Sequence, residues 1–597
     1  MSVRLRDKLF PEAGKTRKIL RKINRIIHGS KPEPTPYEIW MSFNDPKEEE
    51  LEKQRNTKFK INPKISILVP MYNTPENFFE ELVEYMINQT YTNWELCLED
   101  GSPEENEKIE EICKKDERIK YNYTGNNLGI SGNTNEALKR ATGDYIALLD
   151  HDDLLPINCL FEVVKAINED PDVEFIYTDE DKITTIDKPR FDPHFKPDFA
   201  IDTLRSNNYI CHFSVFRKDL MEKLGGERSK YNGAQDYDII IRMAEIAKNI
   251  KHIPKILYHW RVHELSTAKD AAAKPYAFEA GIPVLQDHLK RVGLEGEVSH
   301  GATLGTYKID YKVKGNPKVT ILIPNRNEAK TLKVCIDSIL EKTTYENYEI
   351  VIIENNSTEQ SIFDYYKKLE ENEKIKILYY SEKQFNYSKI INYGVKNTNG
   401  EYIIQLNNDT ELITPDWLEK MVGMNQREDV GAVGVKLYYP DGTIQHAGTI
   451  IGVYGVAGHV FKGLYKNTHG YFARDSHIQN LSAVTAACMM AKRSVYEQVG
   501  YMDEDFAVAF NDIDFCLKII ESGRLIIYNP FVELKHYESK SRGAEDTQEK
   551  QERFQGEIDL FYKKWGNYKK KGDPYYNINL RLDDDQYGIR QEKVNIE

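Results

Sequence analysis

The sequence predicts an α/β protein built as two tandem domains, each with a Rossmann-like, mostly parallel sheet, preceded by a short basic helix. Three observations predict it. One ordered set of polar residues occurs twice: Pro70 to Asn73, Asn135, Asp150 with Asp152, Asp236 and His259, then Pro324 to Asn327, Asn392, Asn407 with Asp409, Asp512 and His536. In both halves β-branched runs alternate with segments of helical periodicity, which implies parallel strands joined by crossover helices. The 597 residues hold two domains of about 250 residues plus tails.

The elements follow in order. From Arg4 to Arg25 the chain is basic, and Ile19, Leu20, Ile23, Ile26 and Ile27 recur at helical spacing beside Lys18, Arg21, Lys22 and Arg25. That pattern suits a helix lying on an anionic inner leaflet through residues 1–30; a helix packed on its own protein, or a disordered basic arm, is the plainer reading. Residues 31–60 are polar and proline-bearing and read as a linker, so the extension is taken as 1–60. The first domain, 61–314, opens with the strand Ile65 to Val69. A helix over Glu76 to Asn88 follows, then a strand over Trp94 to Leu98 that stops at Glu99-Asp100-Gly101-Ser102. A helix over Asn133 to Ala141 ends at Gly143, and Tyr145 to Leu149 runs into Asp150-His151-Asp152-Asp153. Lys308 to Val313 is a further strand, and Gly315-Asn316-Pro317 separates the halves.

The second domain, 315–580, repeats the order: Val319 to Pro324, Tyr348 to Ile353 before Glu354-Asn355-Asn356-Ser357, Ser388 to Val395, then Tyr402 to Leu406 before Asn407-Asn408-Asp409. Asn135 lies 17 residues before Asp152, and Asn392 lies 17 before Asp409, which implies equivalent geometry. The second copy is longer between its acidic cluster and Asp512, where Gln445-His446-Ala447-Gly448 and Gly458-His459 fall; residues 581–597 form a tail.

Hydrophobic content of 40% with 29% charged residues is that of a globular protein, and no apolar run reaches the length that spans a bilayer. Seven scattered cysteines without close pairs imply a reducing, cytoplasmic setting and no structural zinc. A net charge of -14 argues against nucleic acid as a partner, since phosphate contacts need a basic surface.

Carboxylates at alternate positions beyond a strand end can hold a hard divalent cation such as Mn2+ or Mg2+, which neutralises a leaving diphosphate. A turn or cap is the plain reading of one such cluster; its repetition favours chemistry. Asp236 and Asp512 each precede a helical run and read either as caps or as general bases that deprotonate an acceptor hydroxyl. His259 lies 23 residues after Asp236 and His536 lies 24 after Asp512. An imidazole there can complete a metal shell while Arg261 or Arg542 binds phosphate; a core or surface histidine is the alternative.

Taken with Tyr177-Thr178-Asp179-Glu180-Asp181, His194-Phe195-Lys196-Pro197-Asp198, Tyr258-His259-Trp260-Arg261, Phe385-Asn386-Tyr387-Ser388, Gln445-His446-Ala447-Gly448 and Asp573-Pro574-Tyr575-Tyr576-Asn577, these residues resemble glycosyltransferase family 2. The resemblance is to its tandem bacterial members of cell-surface polysaccharide synthesis, and it runs from Lys64 to Asn579. It implies the GT-A fold and inverting, metal-dependent transfer of a hexosyl or rhamnosyl group. The donor would be a uridine- or deoxythymidine-diphosphate sugar, and the acceptor a glycan or lipid-linked glycan.

Carried onto this chain, Pro70, Tyr72, Asn73, Glu99, Asp100 and Asn135 would frame the nucleoside. Asp150 and Asp152 would be the metal motif, Asp236 the base, and His259, Arg261 or His263 would lie near the diphosphate and metal. Pro324, Asn327, Glu354, Asn392, Asn407, Asp409, Asp512 and His536 correspond in the second copy. Glu99 and Glu354 stand where Asp is commoner, and Asn407 replaces the first carboxylate of the second motif, so weaker metal binding is expected there. The expected protein is a bifunctional cytoplasmic glycosyltransferase with peripheral contact to the membrane. The rivals are an enzyme with a single active site whose other half is a binding or structural copy, a carbohydrate-binding or assembly protein, and a nucleotidyltransferase. The last lacks its Gly-rich basic loop around Pro70 to Asn77.

Overall fold

The computed structural model describes residues 33–263, 275–466, 468–537 and 547–595. The basic segment 1–30 and Arg542 therefore lie outside the described residues.

Residues 46–588 form one compact unit that carries both sheets. The first contains β1 (Ile65–Met71), β2 (Trp94–Asp100), β3 (Ile119–Tyr123), β4 (Tyr145–Leu148), β5 (Phe175–Ile183), β6 (Phe191–His194), β7 (Ser214–Arg217) and β8 (Ile250–Arg261). Their order is β3-β2-β1-β4-β7-β5-β6, with β8 also on β5. β1 to β4 pair in parallel, β7 is antiparallel to both β4 and β5, and β8 is parallel to β5. The strands β9 (Gly296–His300) and β10 (Tyr307–Tyr311) then make a separate antiparallel hairpin.

The second sheet repeats the plan with β11 (Val319–Asn325), β12 (Tyr348–Asn355), β13 (Ile375–Tyr380), β14 (Tyr402–Leu406), β15 (Thr410–Leu412), β16 (Val430–Tyr438) and β17 (Ile444–His446). A small pair, β18 (Thr449–Ile451) and β19 (Ala457–His459), stands apart; β20 (Gln479–Leu481), β21 (Cys488–Lys492) and β22 (Leu525–His536) complete the second sheet. Its order, β13-β12-β11-β14-β21-β16-β22-β15, matches the first strand for strand as far as β22. The expected fold class, two α/β sheets in tandem, is the one observed.

The repetition reaches single hydrogen bonds. Ser66 Oγ donates to Glu95 Oε1 and Thr320 Oγ1 to Glu349 Oε1, both at 2.7 Å, at the start of the β1/β2 and β11/β12 ladders. Gly143 and Gly400 precede β4 and β14; a Cβ at either would lie 2.8 Å from the backbone nitrogen of Ser66 or Thr320. Only glycine permits that approach.

One apolar core runs through both halves, from Ile240 and Leu285 through Tyr307 and Tyr311 to Trp417 and Ile350. The hairpin mediates it. The helix Trp417–Asn425 lies so close to β10 that a Cβ on Gly423 would meet the carbonyl oxygen of Tyr311 at 2.3 Å.

The stretch read as a linker is helical in two places. Glu48–Arg55 is a short charged helix with a Lys53–Glu49 pair at 2.8 Å, the i,i+4 spacing that supports polar helices. Residues 33–45 and 589–595 belong to a second compact unit. Its helix Pro36–Asn44 starts at a capping box: Thr35 Oγ1 accepts from Glu38 N at 3.1 Å and Glu38 Oε2 from Thr35 N at 2.6 Å. Asn44 then donates to Glu592 O and accepts from Val594 N at 2.8 Å, so the tail returns to this helix. Among the described residues no helix is long and apolar enough to cross a membrane.

Candidate active sites at the strand ends

The sites form where β1, β2 and β4, or β11, β12 and β14, end together, the crevice that open α/β sheets leave for ligands. At the end of β1, Pro70 is half-buried, Tyr72 is 45% exposed, and Asn73 takes a positive φ of 48°. Asn73 N donates to Ser102 Oγ at 2.8 Å, and Ser102 donates through its amide and hydroxyl to Asp100 Oδ1. Tyr121 OH donates to Asp100 Oδ2 at 2.9 Å.

The second half, with Pro324 half-buried at the end of β11, builds the same cradle: Asn327 N donates to Ser357 Oγ, Ser357 Oγ to Glu354 Oε2, and Tyr366 OH to Glu354 Oε2, each at 2.7 Å. Glu354 therefore corresponds to Asp100, as the register pairs Met71↔Asp100 and Asn325↔Glu354 require. Glu99, expected beside Asp100 in the nucleoside pocket, points to the other face because strand side chains alternate. There it pairs with Arg140 and accepts from Asn122 at 3.0 Å. Asn327 also caps the next turn, its Oδ1 accepting from Thr358 N at 2.8 Å.

Asn135 and Asn392 take equivalent places, and both brace the backbone of a following loop. Asn135 donates to Glu227 O at 2.8 Å and accepts from Glu227 N at 2.9 Å; Asn392 does the same to Met502, at 3.0 Å each way. Each amide spends its donor and acceptor on the loop that leads to the next helix.

Those helices, Gln235–Ile246 and Asn511–Glu521, carry Asp236 and Asp512 at their second residues. Neither aspartate is the N-cap; Ala234 and Phe510 are. Asp236 Oδ2 accepts from Asn208 Nδ2 at 2.8 Å, and Asp512 Oδ2 from Ala486 N at 3.2 Å.

The acidic loop beyond β4 divides its labour. Asp153 is buried and structural: Oδ2 accepts from Tyr258 OH at 2.5 Å and Oδ1 from Arg261 N at 2.7 Å. Asp152 Oδ2 lies 2.7 Å from His263 Nε2. Asp150, Asp153 and His212 each bring a ligand atom within 4.8 Å of one another. Burial, with the charges of Asp152 and Asp236, raises the Asp150 carboxyl above its ordinary range, while His212 opposes the shift. A cation would relieve that crowding, and oxygen donors with one imidazole suit Mn2+ or Mg2+. Asp150 and His212 are the members not already saturated by backbone or hydroxyl donors in the way Asp153 is.

His259 and Arg261 are committed to other protein groups. His259 Nδ1 lies 2.6 Å from Asp181 and its Nε2 3.3 Å from Arg190. The Arg261 side chain is fully buried, donating to Glu81 at 2.7 Å and to Asp152 O at 2.6 Å beneath Phe78. It braces the acidic loop instead of reaching a diphosphate.

His536 differs. Its Nε2 lies 3.1 Å from Asp409 and 3.2 Å from Asn407, while Nδ1 faces Gln445 Oε1 at 2.6 Å. The antiparallel contacts explain the difference: Leu154 pairs with His259, but its equivalent Glu411 pairs with Lys535. His536 therefore stands where Trp260 stands in the first half, one residue along, and a one-residue step turns a strand side chain to the opposite face.

Sequence reasoning missed His212 and Glu227. The registers Tyr145↔Arg217 and Tyr402↔Lys492 put Ala487 in the place of His212, so the repeat carried no signal for it. Glu227, nearly buried, has burial and the charges of Asp236 and Asp150 pushing its carboxyl up to about 8; Met502 replaces it in the second half.

Comparison with known proteins supplies a family. The sequence model described as Glycosyl transferase family 2 matches residues 66–225 and 320–500, once in each half. An uncharacterized protein of Sinorhizobium fredii, y4gI, is 42% identical, over 87% of this chain and 58% of its own. The O-antigen biosynthesis protein RfbC of Myxococcus xanthus is 33% identical, over 94% of this chain and 44% of its own. The chain thus spans about half the length of these curated relatives. Among solved structures, the mannosyltransferase PcManGT of Pyrobaculum calidifontis, in complex with GDP-Man and Mn2+, is 16% identical. That likeness covers 49% of this chain and 75% of that one, at a TM-score of 0.32.

Proposed function

The chain belongs to glycosyltransferase family 2, and we propose that each half is a centre for inverting sugar transfer in the assembly of a cell-surface polysaccharide. The observation that carries this reading is the paired geometry of Asp236 and Asp512, each presented at the second residue of a helix and held by two donors, Asn208 and Cys211 on Asp236, Ala486 N and Ile513 N on Asp512. In the proposed reaction an acceptor hydroxyl oxygen attacks the anomeric carbon of a nucleotide-diphosphate sugar. The bond from that carbon to the diphosphate oxygen breaks, and the hydroxyl proton passes to Asp236 or Asp512.

Tyr72, exposed at the end of β1, and the cradled Asp100 and Glu354 are placed to receive the nucleoside. Asp150 and His212 in the first half, and Asp409 with His536 in the second, would hold Mn2+ or Mg2+, which when bound offsets the charge of the leaving diphosphate. Asn407 in place of the first carboxylate supports weaker ion binding in the second half. Uridine- or deoxythymidine-linked donors, a lipid-linked acceptor and cytoplasmic membrane contact through residues 1–30 complete the reading. RfbC, named for O-antigen biosynthesis, supports the polysaccharide assignment.

The test is mass spectrometry of products after incubation with a panel of UDP- and dTDP-sugars, Mn2+ and a lipid-linked acceptor mimic. Sugar addition from at least one donor is expected; none from any donor would overturn the proposal.

A further inference from the structure

The loop His194–Asp198 leaves β6 of the first sheet, yet its backbone is satisfied largely by the second half. Tyr471 OH accepts from Phe195 N at 2.8 Å and donates to Pro193 O at 2.7 Å. Arg474 donates to Phe195 O at 3.4 Å, Asn577 Nδ2 to Lys196 O at 2.8 Å, and Asp198 N to Pro574 O at 2.8 Å. Asn577 Nδ2 also donates to Asp179 Oδ2 at 2.9 Å, and the other oxygen of that buried carboxylate accepts from Lys196 N at 2.8 Å. The ring of Phe472 stacks on His194 at 3.9 Å.

The Lys196 side chain leaves this docked backbone in the opposite direction. It is fully buried, and its ammonium donates to Ile210 O at 2.6 Å, to His212 O, and to Glu180 Oε2 at 3.1 Å. All three ammonium protons are thereby committed, two of them to the segment that carries His212. His212 is the residue whose ring stands with Asp150 and Asp153. A continuous path of hydrogen bonds thus runs from Asn577, near the end of the second half, to the backbone of a first-half site residue. At the place of His212 the second half has Ala487.

An interface that only stitches two domains would satisfy the loop backbone and stop. Here the docked lysine reaches 14 and 16 residues onward to fix the site segment, the work of outer partners that orient a ligating side chain. We propose that Asn577 and Tyr471 are positioning residues for the first centre, setting His212 through Lys196, so that this centre is incomplete without the C-terminal part of the second half. The proposal rests on the reading of Asp150 and His212 as the cation-binding edge.

The test uses the full-length chain carrying Asp409→Ala, so that Mn2+ binding reports the first centre. Free Mn2+ is followed by electron paramagnetic resonance, and the His212 ring by NMR of histidine-labelled protein, assigned with His212→Asn. Asn577→Ala is expected to weaken Mn2+ binding about ten-fold and to move the His212 resonance while leaving that of His536 in place. Tyr471→Phe, which deletes one hydroxyl and keeps the ring, is expected to do the same to a smaller extent. A folded Asn577→Ala chain with unchanged Mn2+ affinity and unchanged His212 resonance would overturn the proposal. If Asn577→Ala does not fold, Tyr471→Phe decides by the same two readouts. Should the parent chain take up no Mn2+, the reading of the cation edge fails, and the His212 resonance alone still decides the relay.

Discussion

Asn135 and Asn392 show how one spacing can serve a bracing role in both halves. Their shared 17-residue distance from Asp152 and Asp409 reflects equivalent positions, and each amide closes a pair of hydrogen bonds on backbone. Asn392→Ala should cost about 1–3 kcal/mol in urea denaturation, the penalty of leaving buried backbone groups unpaired, with donor KM little changed. A nucleotide ligand would give the reverse pattern. Asp236, Asp512 and Asp150 were visible as candidates because the repeat singled them out twice or set them in a repeated loop. His212 was not, since its counterpart is Ala487 and only folding brings it to Asp150. His212→Ala should lower first-centre Mn2+ affinity about ten-fold, measured by titration of the free ion; unchanged affinity would remove it from the site.

Strands were readable from β-branched runs, whereas the facing of individual residues was not, because one residue of register decides it. Glu99 and Asp100 part to opposite faces of β2, and His259 and His536 part because the 23- and 24-residue intervals differ by one. β8 also carries a titrating group. His252 is packed on Tyr177 and lies 2.9 Å from Asp179 and 3.1 Å from Asp198. Burial opposes its charge, but the two carboxylates outweigh burial and push it up to about 9. Since the folded value lies above the unfolded one, the imidazolium's contribution is full below about pH 6.5 and is lost as pH rises through about 9. Denaturation at the two ends of that window should show a loss about 3 kcal/mol larger in wild type than in His252→Gln. A wild-type slope equal to that of His252→Gln would contradict the assignment.

The two halves were legible as copies, but their union was not, because it depends on pairs far apart in sequence. Asp202 of the first half accepts from Arg205 at 3.2 Å, from both terminal nitrogens of Arg427, and from Asn480 at 3.0 Å. Burial alone would raise this carboxyl; Arg427 and Arg205 hold it well below the usual range. Asp202→Ala would take one of two carboxylate partners from the buried Arg427, leaving Asp429, and should cost about 1–3 kcal/mol in chemical denaturation. With the shared apolar core and the Asn577 segment, this makes the halves one folded body over residues 46–588 carrying two candidate centres. The claim that both are catalytic is tested most directly by comparing the product series of full-length wild type, Asp236→Asn and Asp512→Asn by mass spectrometry on one donor mixture and acceptor. The account predicts that the two variants stop at different products; a variant whose products match wild type would show that half to be no catalyst.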